Sequence, residues 1–170
     1  MATASAAPIP LTQPLEPVAH GHRDHVQFDT TPTAVDTLFS FTAGVGQDQL
    51  ELLNYANFST NTHTINEADT LASGDAAKLT DIAGNQDITS AAGLLTALNA
   101  GGEYALIDSS PGGQYTIITA ASAGANSFYV FEAVGNAVTA EFDSVTLIGV
   151  VNTTTPFSSL VAANITSLPV

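Results

Sequence analysis

The sequence predicts a mainly β protein, an antiparallel β-sandwich or meander with one short helix, preceded by an extended proline-rich N-terminal arm. Three observations lead to this fold class. The 170-residue chain is rich in Ala, Thr, Ser, Gly and Asn and has neither Trp nor Cys, a composition typical of tightly turned β proteins. Alternating β-forming segments are separated by short turns that contain Gly or Asn. Half of the eight prolines lie in the first 17 residues, where they oppose both helix and sheet.

Two parts are expected, an extended arm over residues 1–25 and one β-rich domain over residues 26–170, because about 150 residues can bury a single proper core. One small domain offers little surface to hold an extended segment, so the arm is predicted to contact neighbouring subunits. The predicted interface residues are Pro8, Ile9, Pro10, Leu11, Pro14, Leu15, Pro17 and Val18. The alternative is a disordered tail.

The first half of the domain contains three predicted strands, VQF from residue 26, TLFSF over 37–41 and QLELL over 49–53. The AGVG sequence at 43–46 supplies the turn between the last two. Residues 57–85 are polar and rich in Gly, Asn, Thr and Asp, which predicts a loop with one helical turn near residues 67–72.

The second half begins with the one predicted helix, near residues 89–100, capped by Thr89 or Ser90 and closed by Gly101 and Gly102. Four strands then follow as an antiparallel meander, with hairpin-length connections between them. They are predicted over 103–108, 114–120, 127–134 and 144–151. The last apolar segment fits either a final edge strand or a helical turn.

Charge is the most unusual property of the chain. Arg23 and Lys78 are the only strong bases against sixteen carboxylates, a formal net charge of −14. Binding to phosphates requires Lys and Arg, so nucleic acid and anionic membranes are excluded as partners, whereas basic protein surfaces and cations are favoured. The N-terminus lacks the basic segment followed by an apolar segment that marks a secretory signal. The sequence also lacks the run of 18 apolar residues that would predict a membrane span.

One motif suggests metal-dependent hydrolysis. The HGHRDH sequence at 20–25 fits the H-x-H-x-D-H pattern in which histidines and an aspartate hold two metal ions that activate water. That chemistry needs further ligands downstream, and His63 is the only other histidine. We therefore predict no catalytic residues.

Calcium is the one possible cofactor, because carboxylate oxygens suit it and bound cations would offset the acidic charge. The candidate ligands are Asp36, Asp48, Glu132 and Asp143. The alternative is a solvated acidic face.

A diffuse pattern across residues 26–166 resembles the C-terminal module of RTX-type secreted proteins and of bacterial surface-layer proteins exported by type I secretion. The matching positions are Asp36, Thr37, Phe41, Gly44, Asp48, Leu50, Leu52, Tyr129, Val130, Glu132, Leu147, Gly149, Val150, Leu160 and Asn164. The chain departs from the pattern at Ser40 and at Glu132, where the family has Asp. The glycine-rich repeats that precede the module in the family are replaced by the arm.

These features predict a non-enzymatic structural protein of an ordered assembly. The first expectation is a decoration or cement protein of a phage capsid, or a subunit of a surface lattice, located on the virion surface or the bacterial extracellular surface. Its partners would be capsid or lattice subunits, including further copies of the chain. The alternative that the resemblance implies is a type I secreted, RTX-like calcium-binding surface protein.

Overall fold

A computed structural model describes residues 25–28, 35–52, 57–63, 67–80 and 86–167. These residues form eleven strands and one α-helix. The strands are β1 (His25–Gln27), β2 (Asp36–Phe41), β3 (Gln49–Leu52), β4 (Asn57–His63), β5 (Asp69–Leu71), β6 (Asp75–Thr80), β7 (Ile107–Ser109), β8 (Gln114–Ala120), β9 (Ser127–Gly135), β10 (Phe142–Thr153) and β11 (Ile165–Ser167). The helix is α1 (Ala91–Leu98), and two short 3-10 helices span Phe157–Ser159 and Ala162–Asn164.

The centre of the fold is a six-stranded sheet with the order β2-β10-β9-β8-β6-β4. The mainly β class with one helix is therefore confirmed. The expected antiparallel meander is present in β8, β9 and β10. The other pairs in this sheet, β2 with β10, β6 with β8 and β4 with β6, are parallel, so the sheet is mixed.

One face of the central sheet packs against a three-stranded parallel sheet with the order β1-β3-β11. Leu50 and Ile165 from the small sheet share a hydrophobic core with Ile118, Val130 and others from the central sheet. Phe128 lies at the middle of this core, with its ring edge-on to Phe41 and tilted against Phe157. We call this side of the central sheet the small-sheet face.

The opposite face packs against α1 and a two-stranded parallel sheet formed by β5 and β7. Leu71, Leu94 and Ile107 from these elements share a second core with Ile117 and Phe131 from the central sheet. We call this side the helix face. The strand β4 lies in the central sheet, β5 lies in the facing two-stranded sheet, and β6 lies again in the central sheet, parallel to β4. The three strands therefore form a coil of the kind found in β-helices.

The helix begins where the sequence predicts. Ser90 is the N-cap, and its hydroxyl accepts a hydrogen bond from the Gly93 backbone N–H at 3.2 Å. In the turn before it, Asp87 accepts from the hydroxyl and the backbone N–H of Thr89. These bonds lower the pKa of the Asp87 carboxyl. Leu94 and Leu98 are buried, as an apolar helix face requires.

Two predictions of secondary structure are wrong. The described residues of the segment 57–85 are not a loop with a helical turn, since they form β4, β5 and β6. The segment 103–108 is not the first strand of the meander, because residues 103–106 form turns and β7 pairs with β5 outside the central sheet. The final segment contains both predicted alternatives, two 3-10 helices and the edge strand β11.

Candidate functional site

The strand β2 forms one edge of the central sheet, and among the described strands it pairs only with β10. It carries a bulge at Ser40, whose φ of 65° lies in the left-handed region. Leu38 pairs with Val151 and Phe41 with Thr153. Between these two pairs β2 advances by three residues and β10 by two, so β2 contains one extra residue, as in a β-bulge. The bulge turns both Leu38 and Phe41 into the core. Phe39 is left outside the core, and the residue is 48% exposed.

The register places further apolar side chains beside Phe39. Thr37 pairs with Val150, which pairs in turn with Tyr129, so these residues form one row across three strands on the helix face. Leu147 lies along β10 on the same face and is only partly buried. Val35, just before β2, is 45% exposed. We call the six residues Val35, Thr37, Phe39, Tyr129, Leu147 and Val150 the β2 strip.

Among the described elements, the helix covers the other end of β10 and leaves the β2 strip partly exposed. The side chain of Asn99, the C-cap of α1, donates to the Phe142 carbonyl and accepts from the Phe142 N–H, both at 2.8 Å. This pair of bonds fixes α1 over the beginning of β10, eight residues before Val150. The result is an apolar sheet surface at an edge strand, a feature that marks interaction sites more often than isolated exposed side chains do.

The surface formed by the described residues as a whole is strongly acidic. Twelve of the sixteen carboxylates lie in the described residues and the other four, Glu16, Asp24, Asp29 and Asp81, lie outside them. None of the twelve is buried. The only strong base in the described part of the chain, Lys78, is 5% exposed. The described surface therefore presents carboxylates without an exposed Lys or Arg to balance them.

The buried Lys78 projects from β6 into the core on the small-sheet face. Its ammonium donates to the Leu160 carbonyl at 3.0 Å and more weakly to the Ser158 carbonyl, and it lies 4.7 Å from the centre of the Phe157 ring. Burial lowers the pKa of Lys78, because the charged form loses its hydration. The geometry ties the 3-10 segment after β10 to the central sheet, and the low exposure leaves no access for a substrate.

A second polar group is buried at the end of β4. His63 is fully buried, and its Nε2 atom lies 3.5 Å from a carboxylate oxygen of Asp69. Neither ring nitrogen makes a hydrogen bond within the described residues. No group of three or more His, Asp or Glu side chains in this part of the chain is arranged to hold a metal ion, so the pair is not extended into a larger ligand set.

The four predicted calcium ligands are not gathered into one such group. Asp48 lies in the turn before β3, where its carboxylate accepts from the Thr42 N–H. Asp143 lies near the start of β10 and accepts from the Asn136 side chain. The Thr42 hydroxyl bonds to Thr154 just beyond the end of β10, so Asp48 and Asp143 are separated by nearly the length of that strand, roughly 30 Å.

The other two candidates lie on separate strands. Asp36 begins β2 and pairs in register with Gly149, whereas Glu132 lies in β9 opposite Thr146. The predicted interface residues of the arm and the histidine motif through Asp24 lie outside the described residues. Of that motif, only the backbone of His25 is described, as the first residue of β1.

The structure does bring together three residues of the family-like pattern. Asn164 is fully buried, and its side-chain oxygen accepts from the N–H groups of Gly44 and Val161. Its amide nitrogen donates to the carbonyls of Gly44 and Asp48. We call this network the Asn164 clasp. It joins the segment before β11 to the turn between β2 and β3.

Sequence reasoning missed the β2 strip and the burial of Lys78. A signal for the strip exists in TLFSF: strict alternation would place Phe39 and Phe41 on one face and Leu38 on the other. Burying both Leu38 and Phe41 requires a bulge, and that bulge leaves Phe39 outside. Nothing in the polar sequence around Lys78 indicates that its strand lies inside the sheet.

No helix among the described residues is long and apolar enough to cross a membrane. Comparisons of the chain with protein-family models, curated protein sequences and solved structures give no match.

Proposed function

We propose that this chain is a non-enzymatic structural protein that packs into an ordered assembly on a particle surface, as a decoration or cement subunit of a phage capsid or as a subunit of a bacterial surface lattice. Its partners are further copies of the chain and the subunits of that capsid or lattice. Its place is the virion surface or the extracellular surface of a bacterium.

The β2 strip is the single observation that carries the proposal. It combines an exposed aromatic ring, Phe39, with a row of partly buried side chains that β9 and β10 hold in fixed positions. Aromatic side chains on a rigid surface lose little conformational entropy on binding and supply much of the binding energy in protein interfaces. The strip therefore suits association with another protein surface.

The charge distribution supports a protein partner over a nucleic acid or an anionic membrane. The described carboxylates are all at least partly exposed, and Lys78 is withdrawn into the core. A surface of this kind repels phosphates and attracts basic protein surfaces or cations.

Replacing Phe39 with Ser in the full-length chain is expected to weaken self-association about tenfold or more, equivalent to about 1.4 kcal/mol of binding free energy. The physical reason is loss of the largest exposed apolar side chain of the strip, while the fold is kept because the ring is half outside the core. Sedimentation velocity over a range of protein concentrations measures the effect, with the melting temperature recorded in parallel.

Val138→Ser is the matched control. Val138 is 86% exposed and lies in the connection between β9 and β10, outside the β2 strip. The control should associate like the unchanged protein. A chain that remains monomeric at every concentration, or an equal loss in both variants, would contradict the proposal.

A type I secreted, RTX-like calcium-binding surface protein is the second candidate. The unbalanced surface carboxylates favour bound cations, and the β4-β5-β6 coil and the Asn164 clasp are compatible with the resemblance. This candidate predicts that calcium raises the melting temperature, because a ligand that binds only the folded state stabilises it. Magnesium at equal ionic strength is the control, and equal shifts with both ions would count against a calcium site.

A further inference from the structure

We infer that the β2 strip receives the proline-rich arm of a second copy of the chain, so that residues 8–18 of one molecule lie across Phe39, Val150 and Tyr129 of its neighbour. This inference rests on the proposed assembly function, and it names both the surface and its occupant. The acceptor is a described sheet surface, and the donor belongs to the 24 residues that precede β1.

The chemistry of the two segments is complementary. The donor sequence PIPLTQPLEPV alternates prolines with Ile, Leu and Val, and proline-rich segments of this kind favour an extended helix that docks on aromatic and apolar surfaces. Such a helix rises about 3.1 Å per residue, so four to five arm residues span the roughly 13 Å from Val35 to Phe39 along β2. The donor is long enough to cover the strip.

Charge favours the arm over a direct contact between two folded domains. Residues 1–24 carry Arg23 against Glu16 and Asp24, a formal charge of −1, which leaves −13 of the total −14 on residues 25–170. Two such domains repel each other strongly, whereas the arm brings almost no net charge to the neighbour. It also holds Arg23, a positive charge that the acidic surface of the neighbour attracts.

The strand β1, which follows the arm in the sequence, and the β2 strip lie on opposite sides of the central sheet. The described part of the chain begins with β1, which belongs to the three-stranded sheet, and the side chain of Phe28 packs into the core on that side. The β2 strip lies on the helix face. Because the donor segment and the acceptor strip are different parts of the chain, their contact is head-to-tail, and it builds rings or extended arrays from a single kind of interface.

Disulfide trapping between two full-length variants tests the inference, because the natural chain contains no cysteine. One variant carries Leu11→Cys in the arm, and the other carries Thr37→Cys in the strip, where the side chain is exposed. The two are mixed in a glutathione redox buffer, with one isotopically labelled so that mass spectrometry separates mixed from like-with-like dimers. The mixed dimer is expected to exceed both like-with-like dimers about tenfold, because docking raises the effective concentration of the two thiols.

A mixture of Leu11→Cys with Val138→Cys is the matched control, and equal trapping there would overturn the inference. A dominant Thr37→Cys dimer would also overturn it, by showing that two strips meet directly. The double variant Leu11→Cys/Thr37→Cys is studied at a concentration at which the unchanged protein self-associates. There it must link two chains in preference to closing an internal disulfide, since internal closure would place the arm on its own domain. If the unchanged protein self-associates in sedimentation and the mixed dimer is absent, this inference alone fails. If it does not self-associate, the proposed function fails as well.

Discussion

Replacing Asn164 with Ala is expected to lower the free energy of unfolding by about 3–5 kcal/mol. The Asn164 side chain is fully buried and makes four hydrogen bonds to backbone groups, at distances of 2.8 to 3.1 Å. Alanine removes all four and leaves the N–H groups of Gly44 and Val161 without the acceptor that the Asn164 side chain provides. An unsatisfied buried polar group costs more than the net gain from one hydrogen bond, so the losses are large.

Urea unfolding followed by circular dichroism or tyrosine fluorescence measures this loss, since the chain has four Tyr and no Trp. Asn126→Ala is the matched control, because Asn126 is exposed. Its backbone carbonyl accepts a hydrogen bond from the Thr153 N–H, and alanine keeps that carbonyl. Its effect should stay within about 0.5 kcal/mol. A loss below about 1 kcal/mol for Asn164→Ala would mean that the clasp does not hold the two segments together.

The parts of the fold that could be predicted are those where one face of an element meets the core. In β8 and β9 apolar residues alternate with others, and the helix carries its cap and its apolar face in adjacent residues. The strand β6 could not be recognised in this way. Ala76, Ala77, Lys78 and Leu79 are all buried, so both faces of this strand are covered and no alternation appears, while Ala and Lys have low strand propensity.

The parallel pairing was also beyond prediction from the sequence. The strands β5 and β7 have three residues each, too few for a periodic pattern to appear. The strands β5 and β7 pair because both lie on the helix face of the central sheet. Short connections suggest hairpins, and the sequence pattern gives no sign that 57–80 instead winds between two sheets.

The candidate surface was predictable only in part. The arm is predicted from its prolines and lies outside the described residues, whereas the β2 strip depends on one backbone conformation, the left-handed Ser40. Serine is not a residue that favours this region, unlike Gly, Asn or Asp. A bulge at Ser40 was therefore not indicated by residue type, and without it Phe39 would be assigned to the core.

Replacing Gly149 with Ala is expected to cost about 2–3 kcal/mol of stability. A Cβ atom built on Gly149 would lie within 3.0 Å of three carbons of the Phe28 ring, closer than real contacts allow. Phe28 follows β1 and is buried in the core that joins the three-stranded sheet to the central sheet. The missing side chain at Gly149 thus creates the space in which the two sheets meet, and a methyl group forces the ring or the small sheet to move.

A double-mutant cycle with Phe28→Leu separates this clash from other causes. Leu is smaller than Phe and can turn away from the added methyl group, so Gly149→Ala should cost about 1 kcal/mol or less in the Phe28→Leu background. Gly124→Ala is the control, because a Cβ there meets no atom within 4 Å and its backbone needs no positive φ. It should leave stability within about 0.5 kcal/mol. Equal costs of Gly149→Ala in both backgrounds would show that the Phe28 ring is not what excludes a side chain at this position, and the packing of the two sheets would then have to depend on other contacts.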